Sequence, residues 1–373
     1  MELMSVKDAK WFGCPPDEWL RHIINIHFDP CNGSKYWIEK EKELNVDVRN
    51  NISCIDELQL LGPMVEDDLR RFPVEDFIPK RCLDNKSGLI LGETSGTTGK
   101  PKVTAYKTDE FIPTFVDYFG LVATLRGFPF GGNWLWVGSS GSHIIGKAVG
   151  LVAKRMNSMD PFSVDFDPRW AKKLKSGSFA AKRYLMHVID QSMDILTTQN
   201  IDVIFTTPVV LKELSCVLEE SVRKKIKGVH YGGMSIGKDD LRMFKEDLFP
   251  NAVHISGYGN TLFGLCLEID ESPSFDLDYY PPGPRMIPRV VSTKKGLTPS
   301  TNRLIDVVRY GEKGQVVFHR LDESFFIPNM FERDQAIRIP STEKNRSMGL
   351  FLDGVRNPSL LEGAAESVKV GLY

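Results

Sequence analysis

The segment Glu93–Lys102 combines side chains that bind phosphate. It holds four hydroxyl residues, two glycines and two lysines, directly after the apolar run 88–92, which predicts a buried strand. Glycines let backbone N–H groups converge on an anion, hydroxyls donate further hydrogen bonds, and lysines supply charge. The sequence therefore predicts a loop that holds the phosphates of a nucleotide. It is not a Walker loop, because Thr94 replaces the first glycine of that motif and Pro101 replaces its Mg²⁺-binding hydroxyl.

A second pattern, Gly233–Gly237, satisfies G-x-S-x-G between a predicted strand and a predicted helix. A serine nucleophile of the α/β-hydrolase type requires that context. A serine hydrolase that uses Ser235, a later aspartate and either His254 or His319 is therefore an alternative interpretation. It leaves the phosphate-binding pattern unexplained.

The apolar periodicity between residues 130 and 257 indicates the scaffold that positions these motifs. Short strand-like runs alternate with longer helical patterns, which is typical of a mostly parallel sheet with helices on its faces. From residue 264 onward, turn-rich sequence separates strand-like runs and favours antiparallel structure. The predicted strands are 134–137, 203–205, 229–231, 253–255, 265–269, 304–309 and 315–319, and the predicted helices are 143–156, 179–199, 208–222, 238–248 and one that Thr108 caps.

The predicted fold class is therefore α/β: mostly parallel sheets with flanking helices, followed by an antiparallel β portion. We expect residues 1–350 to form one large domain, with α/β sheets to about 263 and a β-rich part over 264–350. Residues 351–373 are expected to form a hinge-like stub.

The run Ser95–Lys102 resembles the signature loop of the adenylate-forming superfamily, which includes acyl-CoA synthetases, aryl-acid ligases, luciferases and nonribosomal adenylation domains. Other pieces follow in the order of that family. His230–Gly233 is similar to the strand and glycine pair beside adenine, and Gly257–Thr261 is similar to the Y-G-x-T element. Phe331–Asp334 stands at the place of the ribose-binding aspartate. Gly354–Arg356 is similar to the hinge that precedes a small C-terminal domain.

The resemblance implies the fold of the large adenylation domain and an ATP-dependent activation of a carboxylic acid to acyl-AMP and pyrophosphate, with ATP and Mg²⁺ as cofactors. It implies that Tyr258 packs on adenine, Asp334 binds the ribose and Thr261 faces the α-phosphate. The catalytic candidates are Thr97, Lys102, Thr261 and His143, and the nucleotide-binding candidates are Thr94, Ser95, Gly96, Thr98, Gly99, Lys100, Gly232, Gly233, Gly257, Tyr258, Gly259, Asn260, Asp334 and Arg356.

The acid is expected between the segment 138–143, the loop after Tyr231 and the stretch 258–263, where Phe263 can stack on a flat ring. His143 is a candidate for orienting the carboxylate. A histidine that caps a helix or packs in the core is the alternative interpretation of this residue.

Two departures from the family qualify this prediction. Leu262 stands where the family has a glutamate that helps hold Mg²⁺, and leucine cannot ligate a hard cation. Either the triphosphate and water hold the metal, or another carboxylate such as Glu268 substitutes, or catalysis is weak.

The second departure is that only a short tail follows Arg356, where the family has a mobile domain that supplies a lysine. We therefore expect adenylation without CoA ligation in cis. The length and truncation resemble the lid-less adenylating proteins of phenazine antibiotic biosynthesis, which implies an aromatic acid such as a phenazine carboxylate (griseoluteate) and a downstream acyl transferase or carrier protein. A non-catalytic module that binds nucleotide or acyl-adenylate is the alternative.

Composition excludes other classes. The chain of 373 residues carries 47 basic and 49 acidic residues, without basic blocks, so nucleic acid is not an expected partner. No apolar run is long enough to span a bilayer, and the six cysteines lack metal or disulfide spacing, which favours free thiols and a cytoplasmic location. The oligomeric state is not predicted.

Overall fold

An eleven-stranded mixed sheet forms the centre of the fold, and a two-stranded ribbon lies beside it. The computed structural model describes residues 5–96, 99–294 and 296–362. The strands in the described residues are β1 Leu89–Glu93, β2 Val103–Lys107, β3 Trp134–Gly138, β4 Phe162–Asp165, β5 Val203–Thr206, β6 Gly228–Gly232, β7 Val253–Asn260, β8 Gly264–Glu268, β9 Asp278–Tyr280, β10 Met286–Val291, β11 Lys313–Leu321, β12 Phe326–Ile339 and β13 Gly354–Leu360.

Helices cover the sheet and fill the amino-terminal region. They are α1 Pro16–His27, α2 Lys35–Leu44, α3 Val48–Asn51, α4 Asp68–Arg71, α5 Val74–Phe77, α6 Lys80–Leu83, α7 Thr108–Phe111, α8 Tyr118–Arg126, α9 Ile144–Arg155, α10 Pro168–Lys173, α11 Phe179–Thr198, α12 Pro208–Val217, α13 Glu220–Arg223, α14 Lys238–Arg242, α15 Thr301–Leu304 and α16 Glu343–Ser347. Wider π-helical turns over Ile112–Asp117 join α7 to α8, and similar turns over Met243–Leu248 extend α14.

The sheet has a parallel half and an antiparallel half. Strands β4, β3, β5, β6 and β7 run parallel in that spatial order, and β8, β9, β13, β12, β11 and β10 continue the sheet with antiparallel pairing. The change occurs at the connection Thr261–Phe263 between β7 and β8. The predicted α/β class with an antiparallel β portion is confirmed.

Successive side chains of the buried strands pack alternately into two apolar cores on opposite faces of the sheet. On β3, Trp134 and Trp136 pack into one apolar cluster with Phe119 and the amino-terminal helices, while Leu135 and Val137 pack into the other with α11 and α12. This alternation follows from the period of two along a strand. It explains why β3 and β5 are buried at every position.

Three segments differ from the sequence expectations. Residues 304–309 form no extended strand, because α15 occupies their start and Val307 makes a single bridge to Val291. Lys107, not Thr108, occupies the cap position of α7, and the Glu110 carboxylate accepts the Lys107 N–H at 2.9 Å. Gly354–Leu360, placed in the hinge-like stub by the sequence, is the inner strand β13 between β12 and β9.

The six cysteines are free thiols. In the part of the chain that the structure describes, no helix is both long and apolar enough to cross a bilayer.

Candidate active site

Two adjoining cavities lie at the carboxyl ends of β3, β5, β6 and β7. The larger has a volume of about 300 Å³ and the smaller about 90 Å³. Ligands of open α/β sheets bind at this edge, beyond the carboxyl ends of parallel strands. Six of the described residues line both cavities: His143, Gly233, Gly257, Gly259, Asn260 and Thr261.

The predicted phosphate loop borders the larger cavity through Thr94, Ser95, Gly96 and Lys102. Thr94 and Lys102 close its base, because each donates its backbone N–H to the other residue, at 3.0 Å in both directions. Gly96 has a positive φ of 64°, and a Cβ there would lie 2.8 Å from the Gly99 carbonyl oxygen, so the turn requires glycine.

The remaining loop residues lie elsewhere. Thr97 and Thr98 fall outside the described residues. Gly99 and Lys100 do not line the larger cavity, and the Lys100 carbonyl accepts a hydrogen bond from Arg70 Nε at 2.8 Å.

Glu66 ties the loop to α4, a contact that no sequence motif indicated. Its Oε1 lies 2.6 Å from Lys102 Nζ and 2.9 Å from an Arg70 guanidinium nitrogen. Partial burial raises the pKa of Glu66, but the hydrogen bond and charge of Lys102, assisted by Arg70, outweigh it and hold that pKa below its usual range. The ammonium group of Lys102 is thereby held at the cavity wall.

Across the cavity, side chains of β7 form hydrogen bonds with side chains of β12. The Tyr258 hydroxyl donates to Asp334 at 3.0 Å, and the Asn260 amide donates to Glu332 Oε1 at 3.1 Å. Burial, followed by the nearby Asp334 charge, raises the pKa of Glu332 to about 7. Glu332 was missed in the sequence, although the period of two along a strand places it on the same face as Asp334.

The connection between β7 and β8, residues 261–263, is fixed by buried donors. The Tyr106 hydroxyl donates to the Thr261 carbonyl at 2.8 Å, and the Asn260 side chain accepts the Leu262 N–H at 2.8 Å. Arg320 and Arg285 donate to the next two carbonyls, those of Leu262 and Phe263, at 2.9 and 3.0 Å. Asp322 binds both guanidinium groups, and the triad is fully buried. Thr261 is therefore presented to the cavity by a rigid backbone.

Leu262 is 2% exposed and lines the larger cavity. Glu268, the carboxylate expected to substitute for it as a metal ligand, lines neither cavity. It faces Arg126 and Lys245 at 3.9 and 3.6 Å instead. Within residues 5–96, 99–294 and 296–362, no three histidine, cysteine or acidic side chains converge as a metal cluster.

His143 lies at the boundary between the two cavities, immediately before α9. It occupies the cap position of that helix, but its side chain makes no capping hydrogen bond. Its Nε2 is buried without a hydrogen-bond partner among the described residues. Burial, followed by the charge of Arg169, lowers the pKa of His143, so the ring is neutral at pH 7. His143 is therefore a buried histidine whose side chain does not cap the helix.

The smaller cavity is mainly apolar and lacks an ionisable side chain other than histidine in its described lining. Its apolar walls are Phe115, Trp136, Ile144, Ile145, Phe205 and Leu265. His230 Nδ1 donates to the Ile255 carbonyl at 2.8 Å, and burial lowers the pKa of His230 to about 4, so this ring is neutral as well. Phe263, expected to stack on the acid, lies in the larger cavity's wall with its ring stacked on Phe318 at 3.5 Å.

The serine pattern does not assemble a triad in the described residues. Ser235 is exposed and lines the larger cavity, but five residues separate β6 from α14, so the sharp strand-to-helix turn is missing. His254 Nε2 donates to the Phe249 carbonyl, and His319 Nδ1 accepts the Asn329 N–H. Neither histidine lines either cavity.

Gly232 lines the smaller cavity. It packs so closely on β7 that a Cβ would lie 2.9 Å from the Gly257 carbonyl oxygen. Arg356 lines neither cavity and pairs with both oxygens of Asp278, at 2.6 and 2.7 Å. Its neighbours on β13, Asn357 and Pro358, do line the larger cavity.

The fold that surrounds these cavities is similar to that of a CoA ligase of known structure. A 2-hydroxyisobutyryl-CoA ligase in the postadenylation state with R3-HIB-AMP is similar over 92% of this chain and 66% of its own, with a TM-score of 0.65 and 13% identity. The same ligase in an open conformation with 2-HIB-AMP and CoA is similar over 92% and 72%, with a TM-score of 0.63 and 14% identity.

The chain thus spans about two thirds of the length of that ligase in the first structure. The sequence itself matches no protein-family model and no curated protein. At this level of identity the similarity establishes the fold.

Proposed function

We propose that this protein binds ATP in the larger cavity and transfers its AMP moiety to a carboxylic acid held in the smaller cavity. One observation carries the proposal: the phosphate loop with Lys102, the rigidly held Thr261 and the carboxylate Asp334 all face one cavity, which adjoins an apolar cavity at His143. This arrangement offers separate places for a triphosphate, a ribose and an acyl group.

In the proposed reaction, a carboxylate oxygen attacks the α-phosphorus, the bond from that phosphorus to the β-phosphate oxygen breaks, and pyrophosphate leaves with the bonding electrons. Lys102 and the donors of Thr94 and Ser95 stabilise the charge on the leaving group, with Thr97, Thr98 and Lys100 as further candidates in the loop. Thr261 assists at the α-phosphate. Bound Mg²⁺ would neutralise phosphate charge, and the carboxylate oxygens of Glu332 fit its preference for oxygen.

The acid pocket favours a short-chain acid. An apolar cavity of about 150 Å³ holds benzene, and the cavity here is smaller, about 90 Å³. We therefore propose a short-chain carboxylate, with neutral His143 orienting its carboxyl group. An aromatic acid, and above all a phenazine carboxylate, requires Ile145 and its neighbours to move apart, and it stays a prediction to be tested beside the smaller acids.

An acyl-AMP hydrolyses readily unless it is sheltered. We therefore propose that a downstream acyl transferase, a carrier protein or CoA accepts the acyl group. Pyrophosphate release measured with and without CoA separates the first half-reaction from thioester formation.

The deciding experiment is carboxylate-dependent release of pyrophosphate from ATP. The panel contains 2-hydroxyisobutyrate, short fatty acids, benzoates and phenazine carboxylates. Thr97→Ala and Lys102→Ala should abolish turnover while the circular dichroism spectrum is unchanged, and Lys212→Ala, a surface substitution, should retain it. Unchanged turnover in the two loop variants contradicts the assignment.

Two other results identify the alternatives. ATP that raises the melting temperature without turnover indicates a nucleotide-binding module. Covalent labelling of Ser235 by a fluorophosphonate supports a hydrolase.

A further inference from the structure

Leu262 leaves the larger cavity without a carboxylate at the position next to Thr261. Three carboxylates remain among the described residues that line this cavity: Glu66, Glu332 and Asp334. Their hydrogen-bond partners differ, and these partners indicate which carboxylate can hold a metal ion.

Two of the three carboxylates, Glu66 and Asp334, have partners or positions that assign them other roles. Glu66 Oε1 contacts both Lys102 and Arg70, so two cations offset its charge. Asp334 accepts the Tyr258 hydroxyl and lies beside the ring expected to pack on adenine. Glu66 is therefore neutralised by its partners, and the resemblance assigns Asp334 to the ribose.

Glu332 differs from Glu66 because its identified side-chain partner is a neutral amide and not a cation. Asn260 Nδ2 donates to its Oε1 at 3.1 Å, and the Asn260 oxygen is occupied by the N–H groups of Leu262 and Phe263 at 2.8 and 3.3 Å. Asn260 is thereby locked and holds Glu332 in one orientation. Glu332 lines the same cavity as Thr94, Ser95 and Lys102 of the predicted phosphate loop.

A carboxylate on the wall of a triphosphate site repels its ligand unless a cation or a proton lies between them. Mg²⁺ in nucleotide sites is held by one or two carboxylates together with phosphate oxygens and water. We propose that Glu332, on β12, is the protein ligand of the Mg²⁺ that accompanies ATP, and that Asn260 positions it. The inference rests on the proposed ATP binding and goes beyond it by assigning the metal to β12.

The test is the coupling between Mg²⁺ and ATP, measured by calorimetry. The dissociation constant of ATP is determined with excess Mg²⁺ and with EDTA, for the wild-type protein, Glu332→Gln and Asp334→Asn. We expect Glu332→Gln to reduce the ratio of the two constants at least tenfold and to leave binding in EDTA unchanged or tighter, because a repulsive charge is removed. Asp334→Asn should weaken binding in both conditions and preserve the ratio.

A second measurement observes the metal directly. Mn²⁺ in the ATP complex is titrated by electron paramagnetic resonance, and Glu332→Gln should bind Mn²⁺ at least tenfold more weakly than Asp334→Asn does. A Glu332→Gln protein that keeps the wild-type ratio and Mn²⁺ affinity overturns the inference, and a protonated Glu332 that donates to phosphate would give that result. A wild-type protein that does not bind ATP at all overturns the proposed function and, with it, this assignment.

Discussion

The guanidinium group of Arg320 donates a hydrogen bond to the carbonyl oxygen of Leu262, at 2.9 Å. Arg320 also contacts Thr104 and the Ala105 carbonyl on β2 and pairs with Asp322. One buried side chain therefore joins the ribbon that precedes α7 to the connection that carries Thr261. The segment Glu93–Lys102 and Thr261 share this support.

Arg320→Met should destabilise the protein strongly. Removal of one partner from a buried ion pair typically costs about 3 to 5 kcal/mol, since the groups left behind lose their hydrogen bonds. Urea unfolding followed by tryptophan fluorescence measures the loss. Arg338→Met is the matched control, because Arg338 pairs with the half-buried Asp353 and should cost about 1 kcal/mol or less. Equal losses in the two variants would contradict the assigned role of Arg320.

Lys102→Met should weaken ATP binding about 10- to 100-fold, since hydrogen bonds to charged groups contribute about 1.5 to 3 kcal/mol. Glu66 keeps its contact with Arg70 in this variant, so the fold should be retained. Isothermal titration calorimetry gives the dissociation constant. Lys212→Met serves as the control, because Lys212 pairs with Asp240 on the surface. A Lys102→Met protein with wild-type affinity would remove Lys102 from the phosphate site.

Ile145→Ala should shift the preference of the enzyme toward larger acids. Ile145 is half-buried in the wall of the smaller cavity, and its truncation adds space for a ring substituent. One methylene in such a pocket is worth about 1 to 3 kcal/mol in discrimination. The ratio of kcat/KM for a substituted benzoate to that for a short-chain acid should rise about tenfold or more. An unchanged ratio would place the acyl group elsewhere, and Leu151→Ala on the exposed side of the same helix provides the control.

Local patterns predicted the parts of this site that lie along one stretch of chain. The glycines and hydroxyls of Glu93–Lys102 follow a strand as expected, and the helices after β5 and β6 begin close to their predicted positions. These features depend on neighbours in the sequence, such as the proline and hydroxyl at the start of α12.

The contacts that complete the site join residues far apart in the chain. Lys102 and Glu66 are 36 positions apart, Asn260 and Glu332 are 72 apart, and Tyr106 and Thr261 are 155 apart. No periodicity within a strand or helix encodes such a pair, because it is set by strand order and register. The position of Glu268 illustrates the same limit: its residue type suited a metal, but β8 directs it away from the cavities.

Four buried histidines make stability sensitive to acid. Burial lowers the pKa of His27 and His319 to about 3 and the pKa of His230 and His254 to about 4. The unfolded chain takes up protons near the ordinary histidine pKa of about 6.5, and the folded chain does not. The stability that each neutral ring contributes is complete above about pH 6.5 and falls as the pH drops toward the folded pKa, by about 1.4 kcal/mol per pH unit and ring.

His27→Gln should therefore lose less stability than the wild-type protein on acidification. At pH 7 the variant is less stable, because His27 bridges the Ser34 hydroxyl and the Asp322 carbonyl at 2.6 and 2.8 Å. Between pH 6.5 and pH 5 this deficit should shrink by about 2 kcal/mol. Glutamine does not titrate, so the variant lacks the loss of stability that the buried, neutral His27 causes in the wild-type protein as the pH falls. Urea unfolding at each pH measures the difference. His187→Gln, on the exposed face of α11, is the control variant. A deficit in His27→Gln that does not change with pH would show that His27 is not held neutral by the fold.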